Sequence, residues 1–425
     1  MSKPLQINPI KLSQPMGATL AFLGVKNCMP LMHGAQGCAS FTKVFLTRHF
    51  SDPIAIQTTA VNDITAVLDG GDYAVSESIK NITAKVKPDL VGLYTTGMTE
   101  TKGDDIKGAS LLVKDQQRIV YVNTPDFEGG LESGFAKVIT ALIEQLVEPT
   151  EAIDSNKVVI IPNVNMQPIE IEHIKEELVK FGLEPFALPD LSESLDGHLG
   201  LKQGALSSGG ISVDEIEGLG DAGLIITIGE SVAKSGQKLS EKNQNSKLLH
   251  FESLSGLINV DRFYKELLEY KNISTPHPSV VRWRKRLQDA LLDTHFDIGS
   301  SRIALAGEPD HLLSLSSLIK EAGGEIVVAV SSINSPAISG VEATEVIVGD
   351  LSDIEERVED FDILITNFHG HRLAHKYHKG FMLRGYPNYE EVGNQLKSDI
   401  LYQGSSYALF ELANIIKYYK ESSHA

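Results

Sequence analysis

Cysteine is scarce in this sequence, with only Cys28 and Cys38 among 425 residues. Two thiols exclude a disulfide framework, and one copy of the chain cannot build a self-contained four-cysteine zinc or iron–sulfur site. Long apolar runs are missing as well. None approaches the length of a membrane span, and the N-terminal MSKPLQINPIKLSQ has neither an apolar signal core nor an Arg-rich transit helix, so a cytoplasmic protein is expected. Positive charge is in deficit, the net formal charge being −18. Residues 1–150 hold 13 Lys/Arg against 15 Asp/Glu, which leaves 25 against 41 for residues 151–425. Acidic surface on that scale repels phosphate backbones and anionic lipid, which argues against nucleic-acid and membrane-surface binding.

What is present is a globular composition, 42% hydrophobic and 22% charged, at a length that suggests two or three domains. Short β-rich runs alternate with amphipathic stretches, the pattern of repeated βα units and parallel sheets. Strands are expected at 89–95, 118–122, 158–161, 224–228, 248–251, 303–306, 326–330, 346–348 and 362–366. Helices are expected at 39–49, 131–147 and 169–181. Pro-containing polar segments at 148–151 and 272–278 mark boundaries. The expected fold is therefore α/β, with three Rossmann-like doubly wound domains over 1–150, 151–275 and 276–425.

In such sheets ligands lie beyond the carboxyl ends of strands. Four loops qualify: His33–Cys38, Thr95–Glu100, Asn123–Phe127 and Ala306–Asp310. In the first, Gly34 and Gly37 would let the backbone turn sharply and admit a bulky neighbour. Cys38 would then open a helix, where N–H groups and the dipole favour thiolate. A small buried hydrophobe is the competing reading of such a cysteine. Cys28, His33 and Cys38 are spaced too loosely for a usual zinc set. A Cys38 nucleophile with His33 or His49 as base requires spatial proximity that sequence does not give. No phosphate-binding glycine motif occurs.

Asp104-Asp105 reads as a hard-cation site or, more simply, a helix start. His369, His371, His375 and His378 read as a metal cluster or a solvated basic helix, with 371, 375 and 378 on one face if the segment is helical. Trp283-Arg284-Lys285-Arg286 reads as the exposed start of a long helix. Ser194–His198 and Ser207–Gly210 read as hydrogen-bonded loops.

Several segments together resemble the nitrogenase component 1 superfamily: KLSQPMGATLAFLGV (11–25), MPLMHGAQGC (29–38), FLTRHF (45–50), TTGMTE (95–100), NTPDFEGGLESGF (123–135), LPDLSESLDGHL (188–199) and LRGYP (383–387). The likeness runs from about residue 8 to the C-terminus. HGxQGC followed by RHF is similar to β-type members, and SLDGHL is similar to the cofactor-scaffold branch rather than to the nitrogenase β subunit. Nitrogenase β subunits place three cysteines around an eight-iron cluster. Here only Cys38 is kept, because the stretch after RHF reads SDPIAI and the third position lies in Thr96-Gly97-Met98.

The resemblance implies a 4Fe-4S cluster shared with the partner subunit, NifE, to which Cys38 gives one ligand and NifE three. It implies a heterotetramer of two NifE and two copies of this chain. It also implies an iron–molybdenum cofactor precursor that arrives from NifB, is held transiently by the complex, and is matured with molybdenum and homocitrate delivered with the Fe protein NifH. Only Cys38 carries over as a cofactor-binding and metal-ligating residue, none carries over as catalytic, and Cys28 is assigned to packing. A catalytic β subunit of nitrogenase or of dark-operative protochlorophyllide reductase, and a vanadium-system scaffold, are the alternatives.

Overall fold

The computed structural model describes residues 9–46, 54–61, 71–198, 204–206 and 209–423. They build three parallel sheets. The first contains β1 (Cys28–His33), β2 (Gln57–Thr58), β3 (Leu90–Thr95) and β4 (Ile119–Val122) in the order β2-β1-β3-β4. The second contains β5 (Asp154–Pro162), β6 (Glu184–Ala187), β7 (Ala222–Ile228) and β8 (Lys247–Phe251) in the order β6-β5-β7-β8. The third contains β9 (Arg302–Gly307), β10 (Glu325–Ser331), β11 (Glu345–Val348), β12 (Ile363–Thr366) and β13 (Gly380–Leu383) in the order β11-β10-β9-β12-β13.

Near-continuous apolar runs explain these strands. β1, β3 and β7 are buried along their whole length, as strands covered by helices on both faces must be. Each expected strand is present, with ends shifted by a few residues at most. The short strands β2, β6 and β13, two to four residues each, are additional to those expected.

In each sheet the strand order reverses once, between β1 and β3, β5 and β7, and β9 and β12. Successive loops leave in opposite directions there and open a crevice at the carboxyl ends. The first sheet is backed by helices Gln14–Leu23 and Leu131–Leu146, which touch backbone to backbone. A Cβ on Gly17 would sit 2.0 Å from the Leu131 carbonyl oxygen, and one on Gly134 would sit 2.0 Å from that of Gln14. Gly17→Ala should therefore force the helices apart and cost about 1–3 kcal/mol, read as a lowered midpoint in denaturant with an unchanged m-value. Gly92 works similarly within β3, leaving room for the Phe22 ring.

Helix Pro278–Gly299 and the C-terminal helix Leu401–Ser423 lie side by side on the third sheet and run in the same direction. Trp283 meets Tyr407 edge-on at 6.1 Å near one end, and Lys417 Nζ lies 3.2 Å from Asp297 Oδ2 near the other. The 283–286 segment is thus not the helix start, since the helix begins at Pro278, and Trp283 is half-buried.

Candidate functional site

The crevice of the first sheet is assembled by the loops after β1 and β3. The side-chain hydroxyls of Thr96 and Thr99 both donate to the His33 carbonyl, at 3.1 and 2.9 Å, and tie the two loops together. Gly34 is required by this closeness, because a Cβ there would come within 2.7 Å of the Thr96 side chain. Gly37 has no such role: a Cβ there meets nothing within 4 Å, and its φ is not positive. The expectation of two turn glycines holds for Gly34 alone.

Helix Gln36–Leu46 follows, so Cys38 lies in its first turn. Ala39, Thr42 and Leu46 are its buried residues, spaced as one face, and they seat the helix on the core. Cys38, Phe41 and Phe45 then fall on an adjoining face, at i, i+3 and i+7, and line a cavity of about 230 Å³ with Met16, Thr96 and Asp126. Cys38 is exposed. The same helix and the loops after β3 and β4 carry exposed apolar side chains, Phe41 at 68%, Val44 at 58%, Met98 at 41% and Phe127 at 64%. Apolar surface gathered in this way marks a contact site for another molecule.

The thiolate expectation needs correction. Partial burial and then the neighbouring Asp126 carboxylate push the Cys38 thiol up, and the backbone N–H groups at the helix start only partly offset them. Asp126 stays beside the thiol because it accepts from the Gly97 amide at 3.0 Å. Iron bound to sulfur would displace the proton directly.

Other sequence candidates resolve differently. Cys28 is fully buried in β1, and burial pushes its thiol far up, so its role is packing. His33 is buried, with Nδ1 2.9 Å from Thr59 Oγ1 and Nε2 2.9 Å from Asp104 Oδ2. With both ring nitrogens engaged it is neither a zinc ligand nor a base for Cys38. Asp105 caps helix Ile106–Leu111 by accepting from the Gly108 amide at 2.9 Å, the helix-start reading.

The four histidines do not share a helix face. Helix His371–Lys376 ends before His378, which has φ 52°. His369 is not solvated but half-buried, its ring 6.2 Å from Phe45 and 6.1 Å from Tyr389. Among the described residues no group of three or more His, Cys, Asp or Glu is arranged to hold a metal ion. In the 194–198 loop, His198 Nδ1 lies 2.6 Å from Asp196 Oδ1. Residues 48–53 with His49, residue 199 and Ser207-Ser208 lie outside the described residues.

The crevices of the second and third sheets face each other, and sequence reasoning missed what joins them. Glu132, in the first turn of helix Leu131–Leu146, accepts on Oε1 from Asn165 Nδ2 and from the Asp310 amide, both at 2.8 Å. One carboxylate thereby links the elements around all three sheets. Asp310 in turn accepts from the amides of Glu230 and Ser231 at 2.9 and 3.1 Å. Glu132 Oε2, Glu308 Oε2 and Asn165 Oδ1 are buried without a hydrogen-bond partner. Burial first, then the charges of Asp310 and Glu308, hold Glu132 well above the carboxylate range. Burial also raises Glu308 to about 7 and Asp310 to about 6. The signal was an acidic residue in the first turn of each of two helices, Glu132 and Asp310, which reads as ordinary dipole compensation until the fold brings them together.

Beside this junction a cavity of about 50 Å³ is lined by Asn163, Gln167, Glu170, His311, Arg384 and Lys397 among others. Burial raises Glu170 to about 8 and lowers His311 to about 4. Arg384, from the LRGYP segment, is buried and forks onto Asp399 at 2.7 and 2.9 Å, with Glu411 at 2.6 Å. Its charge is therefore spent inside the chain. Such a volume admits a few waters at most.

A family model described as nitrogenase component 1 type oxidoreductase matches residues 13–417. Two proteins named nitrogenase iron-molybdenum cofactor biosynthesis protein NifN are similar over nearly the whole chain. The one from Rippkaea orientalis is 37% identical, covering 97% of this chain and 94% of its own length. The one from Rhizobium meliloti is 39% identical, covering 97% and 95%. A chain in the solved structure of nitrogenase Cp1 at pH 6.5 superimposes with a TM-score of 0.91 at 27% identity, covering 97% of this chain and 94% of that one.

Proposed function

The chain belongs to the nitrogenase component 1 type oxidoreductase family, and on that premise we propose that it is the β-type subunit of a scaffold complex on which the nitrogenase iron–molybdenum cofactor is matured. The observation that carries this reading is the placement of Cys38. It is a single exposed thiol beside a cavity and among exposed apolar side chains, while the only other thiol is fully buried. One thiol cannot close an iron–sulfur cluster, and an apolar rim favours a protein that brings the rest. Cys38 would thus supply one thiolate to a 4Fe-4S cluster shared with NifE, which supplies the other three. When bound, such a cluster passes single electrons.

This chain's own groups set the surroundings. Gly34, Thr96 and Thr99 hold the two loops at fixed separation, and Asp126 adds negative charge beside the sulfur. A negative charge there lowers the cluster's reduction potential. The interior cavity beside the carboxylate junction, about 50 Å³, holds a few waters at most, and the precursor would be held on the NifE side. Two copies of each subunit, cytoplasmic location, transient contact with NifH and NifB, and domain limits near residues 150 and 275 complete the reading. Among the described residues no helix is long and apolar enough to cross a membrane.

Copurification with NifE, followed by iron and sulfide analysis, tests the proposal. An iron-free complex without broad visible absorbance would refute the cluster. The isolated chain should bind little or no iron, because one thiolate does not hold a cluster against water and competing thiols. A stoichiometric 4Fe-4S spectrum from the single subunit would contradict that expectation.

A further inference from the structure

Helix Gln36–Leu46, which carries Cys38, is thinly seated on the core. Of its 11 residues only Ala39, Thr42 and Leu46 are buried, and of these only Leu46 has a large apolar side chain. A helix held by so little apolar area is poorly secured against rolling about its axis. On a helix about 10 Å across, a roll of about 20° carries a side-chain tip about 1.7 Å. A metal–ligand bond tolerates about 0.2 Å. Whatever fixes the roll therefore decides whether the thiol is in place.

Phe45 supplies that hold. It lies seven residues after Cys38, just under two turns, and so near the same face. It lines the Cys38 cavity of about 230 Å³ and also packs on two rings carried by loops of the third sheet. The His369 ring, after β12, lies 6.2 Å from it. The Tyr389 ring, after β13, lies 6.1 Å from Phe45 and 6.1 Å from His369, which closes a triangle. Both outer rings are fixed from behind. His369 Nδ1 donates to the Pro9 carbonyl at 3.2 Å, and the His369 amide donates to Asn367 Oδ1 at 3.1 Å. Phe368 meets the Tyr389 ring edge-on at 5.1 Å, while the Asn367 side chain and the Phe368 amide donate to the Tyr386 and Pro387 carbonyls at 2.8 and 3.0 Å. The turn at 367–369 and the stretch at 386–389 thus form one stapled unit. Burial holds His369 toward the neutral form, so the triangle brings shape rather than charge to the thiol.

We propose that His369 and Tyr389 are positioning residues for Cys38, acting through Phe45 to fix the roll of the thiol-bearing helix and to close one wall of its cavity to water. The inference rests on the proposed cluster and adds to it a contribution from loops of the third sheet. Water admitted beside such a cluster stabilises the more negative, reduced form, so loosening the triangle raises the reduction potential. A displaced sulfur also holds iron less firmly.

Anaerobic redox titration of the NifE complex of the full chain, with iron loss to a chelator measured in parallel, tests it. Tyr389→Ala and His369→Ala should each raise the potential and speed iron loss about tenfold. Tyr389→Phe keeps the ring and should behave as wild type. Phe45→Leu keeps an apolar side chain on the helix but removes the ring contacts, and should reproduce the shift even if truncation at 369 or 389 unfolds its own loop. Variants that lower only the melting temperature, with wild-type potential and chelator rate, overturn the positioning role. A Tyr389→Phe protein that shifts as far as Tyr389→Ala overturns ring packing as its basis. A wild-type complex without iron overturns the proposed cluster itself, and is told apart because no variant then has a potential to compare.

Discussion

Cys38→Ala should strip the complex of the proposed iron–sulfur cluster while leaving the chain folded. The side chain is exposed, and its loss leaves no cavity, so the change in fold stability stays within about 0.5 kcal/mol. The cluster is affected far more. Replacing an outer hydrogen-bond partner of a metal ligand already costs about 10- to 100-fold in metal affinity, and removing the ligand itself costs at least that. Iron content and broad visible absorbance of the purified complex should fall together, with faster loss to a chelator. Cys28→Ala gives the opposite pattern, an unchanged iron spectrum with lowered stability, because that thiol is packed in β1 under the Phe22–Tyr94 layer. Equal spectra for wild type and Cys38→Ala would remove the residue from the site.

The second large effect concerns the buried carboxylates where the three sheets meet. Glu132, Glu170 and Glu308 are raised above their unfolded values, chiefly by burial. For such groups the protonated form belongs to the folded state. The stability tied to the proton is complete below the unfolded value and is lost as pH rises through the folded one. With an ordinary carboxylate value of 4.5 and folded values of about 7 for Glu308 and about 8 for Glu170, that loss runs from the ordinary value up to the folded ones, and its last part falls between pH 7 and 9.

The depressed histidines, His33, His311 and His369, act in the other direction but only below the ordinary imidazole value. They leave this window clean. Stability should therefore fall between pH 7 and 9 by on the order of 1–3 kcal/mol, seen as a lowered melting temperature. Glu132→Gln keeps an acceptor for Asn165 and the Asp310 amide while removing one of the ionisable groups, and should make the profile shallower. Glu132→Ala strands both donors and should cost about 3 kcal/mol at any pH. A melting temperature independent of pH in this range, in wild type and Glu132→Gln alike, would show that the junction carboxylates do not titrate there.

Much of the fold was legible in the sequence because buried parallel strands are written as short continuous apolar runs. VVII within β5 and LIITI within β7 are examples, each bounded by turn residues and amphipathic helices. The exposed Cys38 was legible as a candidate because its loop carries glycine beside a strand end. Its electrostatics were not. Asp126 lies 88 positions away in the chain, and only the Gly97 amide brings it to the sulfur. The histidine cluster failed for a related reason, since periodicity on paper requires a helix that lasts, and this one ends at Lys376.

The sequence by itself determined the alternation of strand and helix, the shortage of thiols that makes a partner necessary for any cluster, and the family. Each depends on local composition or on residues close together along the chain. Only the tertiary structure decided that Glu132, Asn165, Glu308 and Asp310 form one junction, and that His33 is spent on Thr59 and Asp104. Those facts depend on which distant groups share a buried volume of low dielectric. Burial there turns ordinary acidic residues into proton-holding ones.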